Sequence, residues 1–204
     1  MLSAVYFLGE AWAAAGWEGR PYRWSVDAIS ELGVPETRSW AGEQVTSTRS
    51  AVMNATFIGS GVRAALAGLL LAPFVPRRGR WVVLPLVVAY VLGLIVVGVF
   101  PTATVGVRAT MHGIGALLAV VGGGILLLAI AIAFSRRHPA LATFTGVCAA
   151  VSILGSVLAV WGSAHFGLYE RIAVNAVVLW QVVTGVVVLA TAPPAPSVDV
   201  RQGE

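Results

Sequence analysis

The stretch Trp81–Phe100 reads WVVLPLVVAYVLGLIVVGVF, which is 20 residues without a charged side chain. As an α-helix it would extend about 30 Å, which is the thickness of the hydrocarbon core of a bilayer. A helix on the surface of a water-soluble protein needs a polar face, and this stretch has none. The stretch therefore predicts a membrane-spanning helix.

Apolar runs on both sides of this stretch extend the prediction to six spans. The spans are placed at residues 2–17, 51–74, 81–100, 111–134, 141–161 and 172–192. The first is short, and a cleaved signal peptide is its alternative interpretation because Ala13, Ala14 and Ala15 resemble a processing site. Against that alternative, the basic start of such a peptide is missing and Glu10 interrupts the apolar stretch. We expect an all-α integral membrane protein: one compact six-helix transmembrane bundle over residues 1–192, with a long structured outer loop between spans one and two. The polar, proline-rich tail at residues 193–204 is expected to be disordered.

The composition agrees with a membrane protein and narrows its partners. Of the 204 residues, 58% are hydrophobic and 11% are charged, whereas soluble domains carry about 25% charged residues. The 13 basic residues are all arginines in short clusters, so we expect no nucleic-acid partner. A single cysteine, Cys148, excludes an intrachain disulfide.

Arginines in the short connections orient the bundle. Arg77, Arg78 and Arg80 follow the second span, and Arg136 and Arg137 follow the fourth. Since basic residues favour the cytoplasmic side, we expect a cell-membrane protein with both termini in the cytoplasm. The three other connections then share the outer side. The residues capable of chemistry in those connections and the adjoining helix ends are Asp27, Glu31, Glu36, Glu43, Asn54, Arg108, His112, His165, Tyr169, Glu170, Arg171 and Asn175.

Arg63 falls near the middle of the second span, where an unpaired guanidinium costs at least about 2.5 kcal/mol. We predict that it forms a structural intramembrane pair with Glu10 of the first span. Two alternatives stay open: Arg63 extends toward the cytoplasmic side, or it forms the polar floor of a substrate cavity.

The outer loop carries two carboxylates four residues apart, Asp27 and Glu31. A short helix that starts at Ser25 and ends before Gly33 would place both on one face. Such a pair could serve as an acid/base pair or as ligands of a divalent ion, because neighbouring like charges raise one pKa. It could equally be a solvated surface pair with Arg23 as its counterion.

Two histidines lie on the same outer side, His112 at the start of the fourth span and His165 before the last. No HxH, HxxxH or HExxH spacing is present, so we predict neither a bound metal nor another cofactor. His112 is expected to make an interfacial hydrogen bond or to transfer protons, since its ordinary pKa lies near physiological pH. Glu170–Arg171 is either the polar start of the last helix or part of a site. Trp180, deeper in that span, either lines a pocket floor or packs.

Several short motifs resemble, in order, those of a bacterial multi-pass membrane family known as domain of unknown function 998. The motifs are Ile29-Ser30-Glu31-Leu32-Gly33, Asn54 with Phe57-Ile58 and Gly61, Gly98-Val99-Phe100-Pro101, His112, Gly167 with Glu170-Arg171, and Trp180. The resemblance covers nearly the whole chain and implies a six-span fold without an established activity. It also implies that one cluster, functional or structural, contains Glu31, Asn54, Pro101, His112, Glu170, Arg171 and Trp180.

The leading hypothesis is a polar pocket at the outer end of the bundle that engages a membrane lipid or another hydrophobic small molecule. Proton-transfer chemistry of the isomerase or cyclase type would use Glu31 and Glu170 as acid and base and His112 as a proton relay. The residues expected to bind the ligand are Asp27, Asn54, Arg171 and Trp180, with Arg171 as an anion clamp. Binding without catalysis stays open.

Two other functions compete with the pocket. One is a non-catalytic accessory or assembly subunit whose outer loop docks a membrane-protein partner. The other is a small transporter, which is less favoured because the sequence has no internal repeat and no matched pair of broken helices.

Overall fold

Long helices account for most of the chain. The computed structural model describes residues 2–40, 42–103 and 105–191. Within these ranges the α-helices are α1 (Val5–Ala14), α2 (Ser50–Leu71), α3 (Arg77–Val99), α4 (Gly106–Ala116), α5 (Gly122–Phe134), α6 (Pro139–Trp161) and α7 (Phe166–Thr191). A π-helical turn at Leu117–Val121 joins α4 to α5, so that Gly106–Phe134 forms one continuous apolar segment.

Five segments of the described chain are long and apolar enough to cross a membrane. They are Ser50–Phe74, Arg77–Val99, Gly106–Phe134, Pro139–Trp161 and Phe166–Ala190. These segments correspond to predicted spans two to six, but the last begins at Phe166 instead of residue 172. The first predicted span holds a 3-10 turn and α1, whose 10 residues extend only about 15 Å. The chain is therefore a multi-pass membrane protein built mainly of α-helices.

The outer surface of the long helices is apolar. Side chains that are more than half exposed include Leu69, Leu70, Trp81, Ile132, Leu154, Val160 and Leu189. In water such a continuous apolar surface would drive aggregation, whereas hydrocarbon tails solvate it. The exposed apolar side chains and the apolar lengths of the helices thus both indicate that the helices lie in a membrane.

Small residues bring the helix backbones close together. A Cβ atom at Gly93 of α3 would lie 2.5 Å from the Ala119 nitrogen in the π-helical turn. A Cβ atom at Gly155 of α6 would lie 2.6 Å from the Ala173 nitrogen of α7. Since lipid supplies little hydrophobic drive for helices to associate, this close backbone packing holds the bundle together.

A separate buried cluster attaches α1 and the following segment to the bundle. Tyr6 of α1, Ile29, Leu32 and Met53 of α2 are each at most 1% exposed. Their burial explains how a helix of only 10 residues keeps a fixed position against α2.

The segment between α1 and α2 contains a small antiparallel sheet. Its strands are β1 (Trp17–Glu18), β2 (Arg38–Trp40) and β3 (Glu43–Ser47), in the order β1-β3-β2. Trp17 pairs with Ser47, and Arg38 pairs with Val45.

The expected α-helix from Ser25 is instead a 3-10 helix at Ile29–Gly33, with an extended Ala28 before it. The carbonyls of Ser25 and Val26, which an α-helix would have used internally, accept hydrogen bonds from the first turn of α7. The Ile29 nitrogen likewise donates to a side chain of α7. Because of these contacts, the predicted shared helical face of Asp27 and Glu31 does not form.

Candidate functional site

Three connections of the chain meet at one end of the bundle. The Gly167 nitrogen at the start of α7 donates to the Val26 carbonyl at 3.3 Å. Arg108 of α4 binds the Glu36 carboxylate through two hydrogen bonds, at 2.5 and 2.9 Å. The three connections that the topology assigned to one side of the membrane are therefore in contact through these residues.

Arg171 is the centre of the buried contacts at this end. Its Nε donates to Glu10 Oε1 at 2.8 Å, and one terminal nitrogen donates to the Tyr22 hydroxyl at 2.5 Å. The other terminal nitrogen donates to the carbonyls of Trp24, Asp27 and Gly167 at 2.6–2.9 Å. All three guanidinium nitrogens are thus engaged by protein atoms, and Arg171 forms a structural joint between α7, α1 and residues 22–27; its expected role as an anion clamp stays a prediction.

This joint replaces the predicted pair between Glu10 and Arg63. Glu10 is 3% exposed and pairs with Arg171 instead, while Arg63 donates to Ser60 Oγ at 2.7 Å on its own helix. The physical reason is the start of α7. Because that helix already begins at Phe166, Arg171 lies within its second turn and reaches α1.

Asp27 also has a structural role, and the ligand contact expected for it stays a prediction. Its carboxylate is fully buried and accepts two hydrogen bonds from Arg20, both at 2.6 Å, and one from the Arg23 nitrogen. Burial by itself would raise the pKa of Asp27, but the hydrogen bonds from Arg20 and Arg23 outweigh it, and the pKa is lowered. Asp27 therefore remains a carboxylate that fixes residues 20–27.

Glu31 and Asn54 fix the 3-10 helix. Glu31 is 6% exposed and forms an ion pair with Arg38 of β2. Asn54 Nδ2 of α2 donates to the Gly33 carbonyl at 2.9 Å. Since both side chains already hold the segment in place, the roles expected for them in catalysis and ligand binding are not supported by their contacts.

Trp180 connects two helices of the bundle. Its Nε1 donates to Thr145 Oγ1 of α6 at 2.8 Å, and its ring packs against a buried cluster of α3, α5 and α6 residues. The packing alternative, rather than the pocket floor, fits this position.

A cavity of about 40 Å³ lies among α1, α2, α3, α4 and α7. Glu170 and His112 both line it, as does Arg63. The apolar lining includes Phe57, Leu94, Val97, Ala116, Val174 and Val178. Two of the three residues predicted to be catalytic are therefore brought together, and Glu31 is not among the lining residues.

The end of the cavity nearest the loops is polar because of Glu170 and His112. Glu170 Oε2 accepts a hydrogen bond from the Ile29 nitrogen at 2.6 Å. His112 Nδ1 lies 2.8 Å from the Phe100 carbonyl, which can only accept, so Nδ1 carries the proton in this contact. A neutral His112 then keeps the lone pair of Nε2 for another donor.

The deeper end of the same cavity is also polar. It is lined by Arg63, Tyr90 and Gln181, and Gln181 Nε2 lies 3.3 Å from the Tyr90 hydroxyl. Gln181 lies 11 residues after Glu170 on α7, so the two polar ends are about 16 Å apart. The sequence reasoning missed Tyr90, although it is the one hydroxyl in the otherwise apolar stretch Trp81–Phe100.

The chain matches, over residues 1–187, a family described as a protein of unknown function, DUF998. It belongs to this family. The resemblance carried by the short motifs is thus confirmed. Neither a curated protein nor a solved structure matches the chain significantly.

In this DUF998 protein the polar residues of the family-like motifs do not all share one role. Glu31, Asn54 and Arg171 hold the loop segment to the helices, whereas His112 and Glu170 line the cavity. No group of three or more His, Cys, Asp or Glu side chains in the described part of the chain is arranged to hold a metal ion. The side chains that line the cavity include a carboxyl group, an imidazole and a guanidinium, all of which can form hydrogen bonds.

Proposed function

We propose that this DUF998 protein is a cell-membrane protein whose cavity takes a lipid-like or other hydrophobic small molecule. The polar end of the molecule lies beside Glu170 and His112. The observation that carries the proposal is that these two residues, far apart in sequence, line one cavity with apolar walls. The walls between the two polar ends of the cavity are apolar, and a hydrophobic molecule that carries polar groups is complementary to such a cavity.

The cavity is too small for a hydrophobic ligand unless its wall moves. A volume of about 40 Å³ is enough for roughly three water molecules. A hydrophobic chain therefore has to displace part of the wall. The π-helical turn Leu117–Val121 supplies Ala119 and Val120 to that wall, and such turns occur often at functional sites.

Glu170 and His112 are the proposed acid and base. His112 Nε2 accepts a proton from one atom of the ligand, and the carboxyl group of Glu170 donates a proton to another atom, so that the proton count of the ligand is unchanged, as an isomerase or cyclase requires. Glu31 contributes indirectly, because its ion pair with Arg38 fixes the 3-10 helix whose Ile29 nitrogen binds Glu170.

A pair of neighbouring substitutions tests the proposal. Val178 is 5% exposed and lines the cavity, whereas the adjacent Leu179 is 50% exposed and does not. Val178→Phe is expected to fill the cavity, and Leu179→Phe is its matched control on the lipid-facing side. Mass spectrometry identifies the hydrophobic molecules that stay with each purified protein, and thermal unfolding confirms that each variant is folded.

Loss of a retained molecule in Val178→Phe but not in Leu179→Phe supports the proposal. The same molecule is expected to be retained less by Glu170→Gln, which removes the ionisable carboxyl group, and by His112→Ala, which removes the imidazole at the same end of the cavity. A wild-type protein that retains the same molecules as Val178→Phe contradicts the cavity as a binding site. That outcome favours the accessory subunit, which docks a membrane-protein partner through its outer loop.

A further inference from the structure

A groove lined by arginines lies at the end of the bundle opposite the cavity residues Glu170 and His112. It runs between the start of α3 and the end of α5 and has a volume of about 1270 Å³. The arginines that line it are Arg77, Arg78, Arg80, Arg136 and Arg137. Five positive charges thus border a single open groove.

The packing of α3 against α5 brings the two arginine clusters together. A Cβ atom at Gly79 would lie 2.7 Å from the Ala133 Cβ, so the helices are in close contact beside the groove. Arg77 and Arg136 are 59 residues apart in sequence but line the same groove. The positive end of the α3 dipole adds to the field of the arginines, because α3 begins at Arg77.

No carboxylate balances these charges within the part of the chain that the structure describes. The sequence has no Asp or Glu between Glu43 and Glu170, and both of those residues lie toward the other end of the bundle. Arg80 uses one terminal nitrogen on the carbonyls of Pro73 and Val75, and its Nε is buried without a hydrogen-bond partner among the described residues.

The walls of the groove below the arginines are apolar. Leu86 of α3 and Ile125, Leu128 and Ile132 of α5 line it, and Ile132 is 67% exposed. A free anion such as phosphate would gain no binding free energy from contact with these apolar walls. A molecule with an anionic head and hydrocarbon chains is complementary to both parts of the groove.

We propose that this groove is a binding site for an anionic phospholipid. The phosphodiester head is bound by Arg77, Arg78, Arg136 and Arg137, and the acyl chains lie along α5. This site is separate from the cavity and does not depend on the proposed function.

The test compares two double variants of the full-length protein. Arg77→Gln/Arg136→Gln removes one charge from each side of the groove. Arg23→Gln/Arg49→Gln removes two exposed arginines from the other end of the bundle and is the matched control. Native mass spectrometry in a non-ionic detergent measures binding of dioleoylphosphatidylglycerol, with dioleoylphosphatidylcholine as the zwitterionic lipid.

Phosphatidylglycerol is expected to bind the wild type at least tenfold more tightly than phosphatidylcholine does. The groove variant is expected to bind it about 30-fold more weakly than the wild type. The control variant is expected to change this affinity less than threefold. The deacylated headgroup and inorganic phosphate are expected to show no binding at the same concentrations, because they lack the chains.

Three outcomes would overturn the proposal. They are wild-type affinity in the groove variant, an equal loss in both double variants, and binding of inorganic phosphate as tight as that of the lipid. Thermal unfolding without added lipid checks that each variant is folded. If Arg77→Gln/Arg136→Gln does not fold, Arg78→Gln/Arg137→Gln replaces it, with the same outcomes expected.

Discussion

Removal of either partner from the buried pair of Glu10 and Arg171 is expected to destabilise the protein strongly. Arg171→Met and Glu10→Leu should each lower the free energy of unfolding by about 3–5 kcal/mol, because each leaves a buried charge without its partner. The double variant is expected to lose less free energy of unfolding than the two single variants lose together, because neither buried charge remains. Denaturant unfolding of the purified variants measures the three changes.

The exposed pair of Glu36 and Arg108 is the matched control. It also has two hydrogen bonds, but Glu36 is 52% and Arg108 37% exposed at the side chain. Arg108→Gln is therefore expected to change the free energy of unfolding by no more than about 1 kcal/mol. An effect of Arg171→Met as small as that of Arg108→Gln would contradict the central structural role of Arg171.

At the level of single residues, the sequence indicated which side chains share one end of the bundle but not which of them pair. Glu10 was expected to pair with Arg63 because both charges lie in apolar runs. The true partner, Arg171, depends on where α7 begins, and that start is set by hydrogen bonds to Ser25 and Val26 from far along the chain. A local capping rule cannot predict such contacts.

The start of α7 is the element on which the site depends, and Gly167 is its critical position. A Cβ atom there would lie 2.3 Å from the Asp27 carbonyl oxygen, which is closer than real Cβ atoms come. Gly167→Ala is expected to move residues 24–28 away from α7 and to cost about 1–3 kcal/mol, as overpacking does. Thermal unfolding measures the cost, and trypsin cleavage at Arg23 reports the movement.

Gly113→Ala is the matched control on α4. A Cβ atom at Gly113 would meet nothing within 4 Å, so alanine there is expected to be neutral or to stabilise the helix by up to about 1 kcal/mol. Equal effects of the two substitutions would show that the contact between α7 and residues 24–28 does not limit stability.

At the level of elements, the apolar lengths of the long helices were predictable because the hydrocarbon core of a bilayer demands about 20 apolar residues per helix. The small sheet and the 3-10 helix were not predictable, since both are held by contacts from distant parts of the chain. The pairing of Trp17 with Ser47 and the hydrogen bond from Asn54 to Gly33 are two of these contacts. Each joins residues whose proximity no short sequence window reveals.

For the whole molecule, we propose that the chain crosses the membrane six times and that both termini lie in the cytoplasm. This arrangement requires that the segment containing α1 also crosses the membrane. Two features support this arrangement. Glu10 of α1 is buried against α7, and the arginine clusters after α2 and after α5 lie at one end of the bundle. An epitope tag before Met1 is expected to become accessible to antibody only after the membrane is permeabilised. Accessibility on intact cells would contradict this arrangement, since the N-terminus would then lie outside.

Cysteine labelling tests the arrangement of the loops without any assumption about α1. In a Cys148→Ala background, Thr37→Cys and Val105→Cys place thiols at two exposed positions of the end that holds the loop segment. Ser135→Cys places one between α5 and α6, at the arginine groove. A membrane-impermeant maleimide on intact cells is expected to label the first two and not the third. Labelling of Thr37→Cys but not of Val105→Cys would place the two loops on opposite sides of the membrane. The ion pair of Glu36 with Arg108 could then not form, and the proposed cavity with its polar end would be excluded.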